Sequence, residues 1–209
     1  MHVKTYEDWI GQWLDAHFDT PHREMVMSYP AKTDAEDYGV PQAMQDGKVD
    51  EEGWVRWKMV ASTVTAEQVR EMERTYRLAA PVPPLYLAYL TTRFVLNVNL
   101  RYDDFIVTLP DLPSDHALRD VRTMWMNWEQ LIQHGYIPIA TYEDGASPVC
   151  CDTQNPLPDG DYDIVWFDHE EFVTEDAGSR ARLEAMAKPL FPSFRDMLLS
   201  AKGSPASLK

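Results

Sequence analysis

The sequence is poor in cysteine, in glycine and in positive charge, and each shortage argues against a class of protein. Only Cys150 and Cys151 are present. Adjacent cysteines bridge each other poorly, because the ring strains the peptide between them. Two thiols without His partners at ligand spacing make no zinc site. They read as reduced thiols on a strand, one on each face, in a chain suited to a reducing cytoplasm. The 9 glycines are scattered. None falls in the G-x-G-x-x-G, P-loop or nucleophile-elbow patterns that cradle phosphate or present a serine. Lys and Arg number 19 against 34 Asp and Glu, for a formal net charge of −15. Phosphate backbones and anionic lipids both call for clustered cations, so direct nucleic-acid and membrane partners are disfavoured. No run approaches the ~18 apolar residues of a membrane span. The first residues also lack the basic-then-apolar pattern of a signal peptide.

Aromatics, by contrast, are plentiful. The 7 Trp, 10 Tyr and 7 Phe sit in a chain that is 44% hydrophobic, which predicts a packed globular core rather than a disordered acidic tail. The 209 residues suggest one domain with something added. The charge shows where the addition lies. Residues 1–53 carry 4 bases and 12 acids, leaving 15 against 22 for the rest. Periodicity is lost over residues 19–53, and acids crowd from Asp34 to Glu52. We therefore expect an N-terminal helix plus a solvated acidic loop over 1–53, a compact domain over 54–201 and a flexible tail over 202–209.

Periodicity fills in the elements. Tyr6, Trp9, Ile10, Trp13, Leu14 and His17 mark one apolar face of a helix. Trp54 to Val60 is rich in strand formers. Thr65 and Gln68 make a capping box, and Pro83-Pro84 opens a short helix. Phe94, Leu96, Val98 and Leu100 alternate as a half-buried strand. Asp103-Asp104 turns the chain back into Phe105–Val107. Leu118, Val121, Trp125, Trp128 and Ile132 predict one long helix within 115–134. Strands are expected at Tyr136–Tyr142, Pro148–Asp152 and Asp163–Asp168, and closing helices at Ser179–Ala187 and after Pro192. Sequential strands with short turns imply a single α+β domain: a mainly antiparallel sheet of roughly five or six strands, with helices packed on one side.

Catalytic, metal and cofactor constellations do not emerge. His17 and His22 have no metal-ligand spacing. His169 follows Asp168 and precedes Glu170-Glu171, which could orient a general base, yet no nucleophile is marked beside it. Asp159, Asp161 and Asp163 flank Gly160 like the start of a calcium loop. Ile164 stands where that loop needs glycine, and the distal Glu is missing, so a solvated acidic turn is the better account. Trp9, Trp13, Trp125, Trp128 and Trp166 fit core positions. Trp54 and Trp57, bordering the acidic loop, are the candidates for half-exposed binding anchors.

From Thr65 to Ala201 the chain resembles the Smi1/Knr4 (SUKH) superfamily. The likeness rests on an ordered set. It begins with the capped helix Thr65-Ala66-Glu67-Gln68-Val69 and the proline-led Val82-Pro83-Pro84-Leu85-Tyr86. It continues through the strands Gly135-Tyr136-Ile137-Pro138-Ile139-Ala140, Val149-Cys150-Cys151-Asp152 and Ile164-Val165-Trp166-Phe167-Asp168-His169-Glu170. It closes with the helix Phe191-Pro192-Ser193-Phe194. The resemblance implies a non-enzymatic binding domain without cofactors. Many bacterial relatives are immunity proteins that block a toxin domain, often a nuclease, and others are regulatory scaffolds. The expected partner is then a basic toxin domain, steered by charge and held by aromatic anchors. The expected contacts are Asp103, Asp104, Asp159, Asp161, Asp163, Asp168, Glu170, Glu171, Trp54 and Trp57. A scaffold reading would instead use the 19–53 loop for docking. A hydrolase built on His169, or a metal enzyme built on the Asp159–Asp163 turn, is the least supported reading.

Overall fold

The computed structural model describes residues 5–21, 23–32, 38–143, 145–174, 178–205 and 208. His22 and Asp34, named above, lie outside them.

Helix α1 (Tyr6–Phe18) starts at a capping box between Thr5 and Asp8. It buries Trp9, Ile10, Trp13 and Leu14, the face that the periodicity predicts. After α2 (Arg23–Val26), strand β1 (Ser28–Pro30) pairs antiparallel with β2 (Trp54–Arg56). A 3-10 turn at Gln42–Met44 lies between them. Strand β3 (Val60–Ala61) pairs with β4 (Arg93–Phe94). Between these come α3 (Ala66–Tyr76), with the Thr65–Gln68 capping box in place, and α4 (Pro84–Thr92). The chain continues through β5 (Asn99–Arg101), β6 (Ile106–Thr108), α5 (Arg119–Asn127) and α6 (Glu129–Gln133). Then follow β7 (Tyr136–Tyr142), β8 (Ser147–Pro156), β9 (Tyr162–Trp166), α7 (His169–Thr174), α8 (Arg180–Met186), β10 (Lys188–Phe191) and α9 (Phe194–Ser200).

The result is a single-domain α+β fold. Its centre is a six-stranded sheet in the order β10-β9-β8-β7-β6-β5, with every neighbouring pair antiparallel. The sheet curls: Tyr102, next to edge strand β5, meets Phe191 of the other edge strand with ring centroids 5.0 Å apart. Successive residues of β8 and β9 point to opposite faces. Cys151 and Ile164 enter the main core, whereas Cys150 and Val165 enter a smaller cluster with Leu131, Tyr136, Phe167 and Leu183. Both thiols are free and buried, one on each face as expected. The smaller cluster is packed by Trp128, Phe172 and Met186, from beside α6 and from α7 and α8. Helices therefore cover both faces of the sheet, not one.

The N-terminal quarter departs further from expectation. Trp9, Trp13, Met27, Val40, Met44 and Val55 belong to the same core as the sheet. Arg93, at the end of α4, forms an ion pair with Asp15 of α1, and Trp13 Nε1 donates to the Leu198 carbonyl at 3.3 Å. The described residues of 6–53 thus pack into the same core as the sheet, and the described parts of 19–53 are not a free docking loop. Gly39 shows how tightly this segment is laid down. Its φ is +121°, and a Cβ there would stand 2.7 Å from the Lys32 backbone nitrogen, so only glycine fits.

Two predicted elements are broken. The 94–100 strand is interrupted at Asn97, whose φ is 56°, a left-handed conformation that Asn tolerates better than most residues. The long helix stops at Trp128, where ψ is 30°, and restarts as α6. Apolar spacing alone carries neither signal.

Candidate functional site

Alternation of direction in an antiparallel sheet collects specific loops at one end. The end of β5, the start of β6, the end of β7, the start of β8, the end of β9 and the start of β10 all lie there. The β5–β6 hairpin carries Asp103 and Asp104, both exposed, and is closed by Tyr102 N–H donating to the Phe105 carbonyl at 2.9 Å. Glu143 begins the β7–β8 turn with φ at 46°. Its carboxylate accepts the Ile106 N–H at 3.0 Å, which ties the two hairpins together. Asp168 follows β9, and Glu170 and Glu171 occupy the first turn of α7. Five of the acids expected to bind a partner, Asp103, Asp104, Asp168, Glu170 and Glu171, therefore share one end of the sheet.

Between these acids runs a row of partly exposed aromatics that spacing did not reveal. Trp166 stacks on Tyr142 with centroids 4.2 Å apart and planes 10° apart. Tyr142 stacks on Phe105 at 5.2 Å, and Phe105 on Tyr102 at 4.5 Å. Phe191 completes the row beside Tyr102. Each ring comes from a strand end or the turn beside it. The strand order brings them together from positions far apart in the chain, which is why local periodicity is blind to them. The ladder closes the mouth of the curled sheet and still leaves ring surface at the solvent boundary.

The site already holds cations of its own: Lys202 Nζ lies 3.2 Å from Asp103 Oδ1, and a second is seated on the aromatic row. Lys188 Nζ lies 4.7 Å from the Trp166 ring centroid, 3.3 Å from Asp168 Oδ2 and 3.1 Å from Glu171 Oε1. Desolvation opposes the ammonium charge there. The hydrogen bonds to Glu171 and Asp168 outweigh it and hold the Lys188 pKa above its ordinary value. An aromatic face flanked by carboxylates suits ammonium and guanidinium groups, by quadrupole attraction and charge-assisted hydrogen bonding.

The other expected contacts lie elsewhere. Asp159 and Asp163 are exposed at the opposite end of the sheet, around the start of β9. Asp161, between them, is only 4% exposed. Its carboxylate accepts the backbone N–H groups of Tyr162 at 2.8 Å and of Phe194 and Arg195 at 3.2 Å each. It is a buried brace on the start of α9, alongside the Ser193 cap. It is neither a partner contact nor part of a solvated turn. Burial pushes its carboxyl upward, with the three N–H groups opposing that shift. Among the described residues no group of three His, Cys, Asp or Glu is arranged to hold a metal ion. Trp57 is 1% exposed and packs edge-to-face on Phe18 at 5.1 Å. Its whole indole is core, which removes it from the anchor set. Trp54 is 43% exposed, but it stands on the separate β1–β2 ribbon.

His169 has a neighbour that the sequence did not mark. Ser147 Oγ lies 3.2 Å from His169 Nδ1. The serine is 5% exposed, and its oxygen also faces the His169 backbone N–H at 3.4 Å. A nucleophile must reach substrate. This hydroxyl instead clamps the first residue of β8 to the start of α7.

No family model matches this sequence. No curated protein matches it either.

Proposed function

We propose that this chain is a non-enzymatic protein-binding domain. In this reading it is an immunity protein that captures and neutralises a basic toxin domain, often a nuclease, at the acidic end of its sheet. The observation that carries the reading is the aromatic row of Tyr102, Phe105, Tyr142 and Trp166, rimmed by Asp103, Asp104, Glu143, Asp168 and Glu171. Lys188, already seated against Trp166 and two of these acids, illustrates the chemistry that a partner's Lys or Arg would use. The net charge of −15 adds long-range attraction for a cationic partner. The resemblance to Smi1/Knr4 proteins supports the same class and a cytoplasmic site of action. A regulatory scaffold of that family would use the same end of the sheet. The 19–53 segment is less suited to docking, because Met27, Val40 and Met44 are buried in the core.

The test is protection and capture. The chain should co-purify with, and protect cells from, a toxin module encoded beside it. The triple variant Asp103→Lys, Asp104→Lys, Glu171→Lys should lose both effects while remaining folded. A toxin neutralised equally well by the triple variant would refute the assignment of the face. Absence of any protection or capture would refute the function.

A further inference from the structure

On the sheet face opposite the aromatic row, Asn99, Thr108 and Thr141 are successive cross-strand partners on β5, β6 and β7. Their neighbours Leu100, Val107 and Tyr142 belong to the core side. Thr108 Oγ1 donates to Asn99 Oδ1 at 2.8 Å, which holds the polar row in register. Over Thr108 and Thr141 lies a cavity of about 270 Å³, walled by Tyr29, Asn97, Asp111 and Asp120. That volume falls just below the range of drug-sized sites, which start at about 300 Å³, and suits a smaller group.

Asp111 is the group with no direct ion pair among the described residues. Its Oδ1 accepts the Asn97 backbone N–H at 2.6 Å, and the left-handed turn at Asn97 aims that N–H. Among the described residues no hydrogen bond or ion pair reaches its Oδ2. Burial pushes this carboxyl up to about 6. The Asn97 N–H opposes that shift, Asp120 adds to it, and Arg119 opposes it more weakly. Asp120 is already served, because Arg119 Nε donates to its Oδ1 at 2.8 Å. Among the described residues lining the cavity there is no Lys or Arg. The walls thus offer the Asp111 and Asp120 carboxylates and the hydroxyls of Tyr29, Thr108 and Thr141, with Arg119 acting on Asp111 only from outside the lining. A carboxylate so placed gains most from a charge-assisted partner.

We infer that this cavity binds a small organic cation, an ammonium or guanidinium group that pairs with Asp111 and is oriented by the Thr108 and Thr141 hydroxyls. The group belongs either to a free amine or guanidine compound or to a Lys or Arg side chain of a protein. The cavity is separate from the acidic end of the sheet, and the inference stands without that docking reading.

The experiment titrates the ¹⁵N-labelled full chain with methylguanidinium, with n-propylammonium and with the peptide acetyl-Gly-Arg-Gly-amide. It follows the Asn97 amide, which sits on Asp111. Saturable shifts are expected. In Asp111→Asn, which keeps an acceptor for the Asn97 N–H, affinity should fall by about tenfold or more. Thr141→Val should weaken binding by a few-fold, and it serves as the second variant if Asp111→Asn spectra report misfolding. Saturation by the free cations identifies a small-molecule site. Saturation by the peptide alone identifies a side-chain receptor. Either result supports the inference. No saturation by any probe up to about 50 mM, unchanged binding in Asp111→Asn, or tighter binding of Ca²⁺ with the same shifts would overturn it.

Discussion

Two groups in this fold titrate against their ordinary tendencies and in opposite senses, so together they should hide each other's pH dependence. His17 stacks on Trp13 at 4.9 Å and meets the edge of Phe18 at 5.0 Å. Burial lowers its pKa from 6.5 to about 4. The native state then refuses a proton that the unfolded chain accepts. Stability is therefore full above 6.5 and is lost as pH falls from 6.5 to about 4. Asp111 does the reverse. With a carboxyl raised from 3.8 to about 6, the native state holds a proton that the unfolded chain has released. Its contribution is full below 3.8 and is lost as pH rises through about 6. Each pH unit over which the two states differ by one proton is worth about 1.4 kcal/mol, so the windows amount to at most about 3.5 kcal/mol for His17 and about 3 kcal/mol for Asp111. Lowering the pH from 7 to 4 costs His17 about as much as it returns through Asp111.

The assay is urea unfolding followed by tryptophan fluorescence from pH 4.5 to 7.5, for the native sequence, His17→Phe, Asp111→Asn and the double variant. Differences from the native sequence cancel the common titration of the surface carboxylates. Relative to the native sequence, His17→Phe should gain stability as pH falls, by roughly 2 kcal/mol at pH 4.5. Asp111→Asn should lose a similar amount over the same interval, and the double variant should track the native sequence. Parallel curves for His17→Phe and the native sequence across 4.5–6.5 would refute the reasoning for the histidine. Parallel curves for Asp111→Asn would refute it for the aspartate.

Other consequences are simpler. Trp57→Ala should cost roughly 3–5 kcal/mol in denaturant unfolding, whereas Trp54→Ala should stay within about 0.5 kcal/mol; equal effects would contradict their opposite burial. Asp161→Ala strands three backbone donors and should destabilise by several times the effect of Asp163→Ala, measured as a fall in melting temperature. Cys150 and Cys151 are fully buried, with burial as the first cause holding both thiols well above their ordinary pKa. They should resist a thiol reagent in the native state and react together on unfolding; a fast native reaction at either would show that its face of the sheet opens.

Much of the fold was legible because it is written locally. The Thr65–Gln68 box, the Pro83-Pro84 start and the apolar stripe of α1 each place an element without help from the rest of the chain. The antiparallel sheet followed from strand order and short turns. What escaped was set by distant partners. Strand β10 has four residues, one of them Pro189, and exists because β9 pairs with it. The break at Asn97 depends on a carboxylate 14 residues away. The N-terminal segment looked solvated because of its acids, yet Met27, Val40 and Met44 between them are buried. The site divides in the same way. Acids could be nominated from composition, but only the sheet's direction sorts them into two ends. Trp57 and Asp161 looked available in sequence, and packing consumed both. The aromatic row was recoverable in principle, since Phe105, Tyr142 and Trp166 sit at strand ends that an antiparallel order must bring to one edge.

The central claim is that the acidic, aromatic end of the sheet receives a basic protein. The most direct measurement is the stopped-flow association rate with a basic toxin module of the kind proposed, at about 20 mM and about 500 mM salt. The native sequence should associate at least about tenfold faster at low salt, and the Asp103→Lys, Asp104→Lys, Glu171→Lys variant should be slow at both. A rate indifferent to salt and unchanged in that variant would contradict the account.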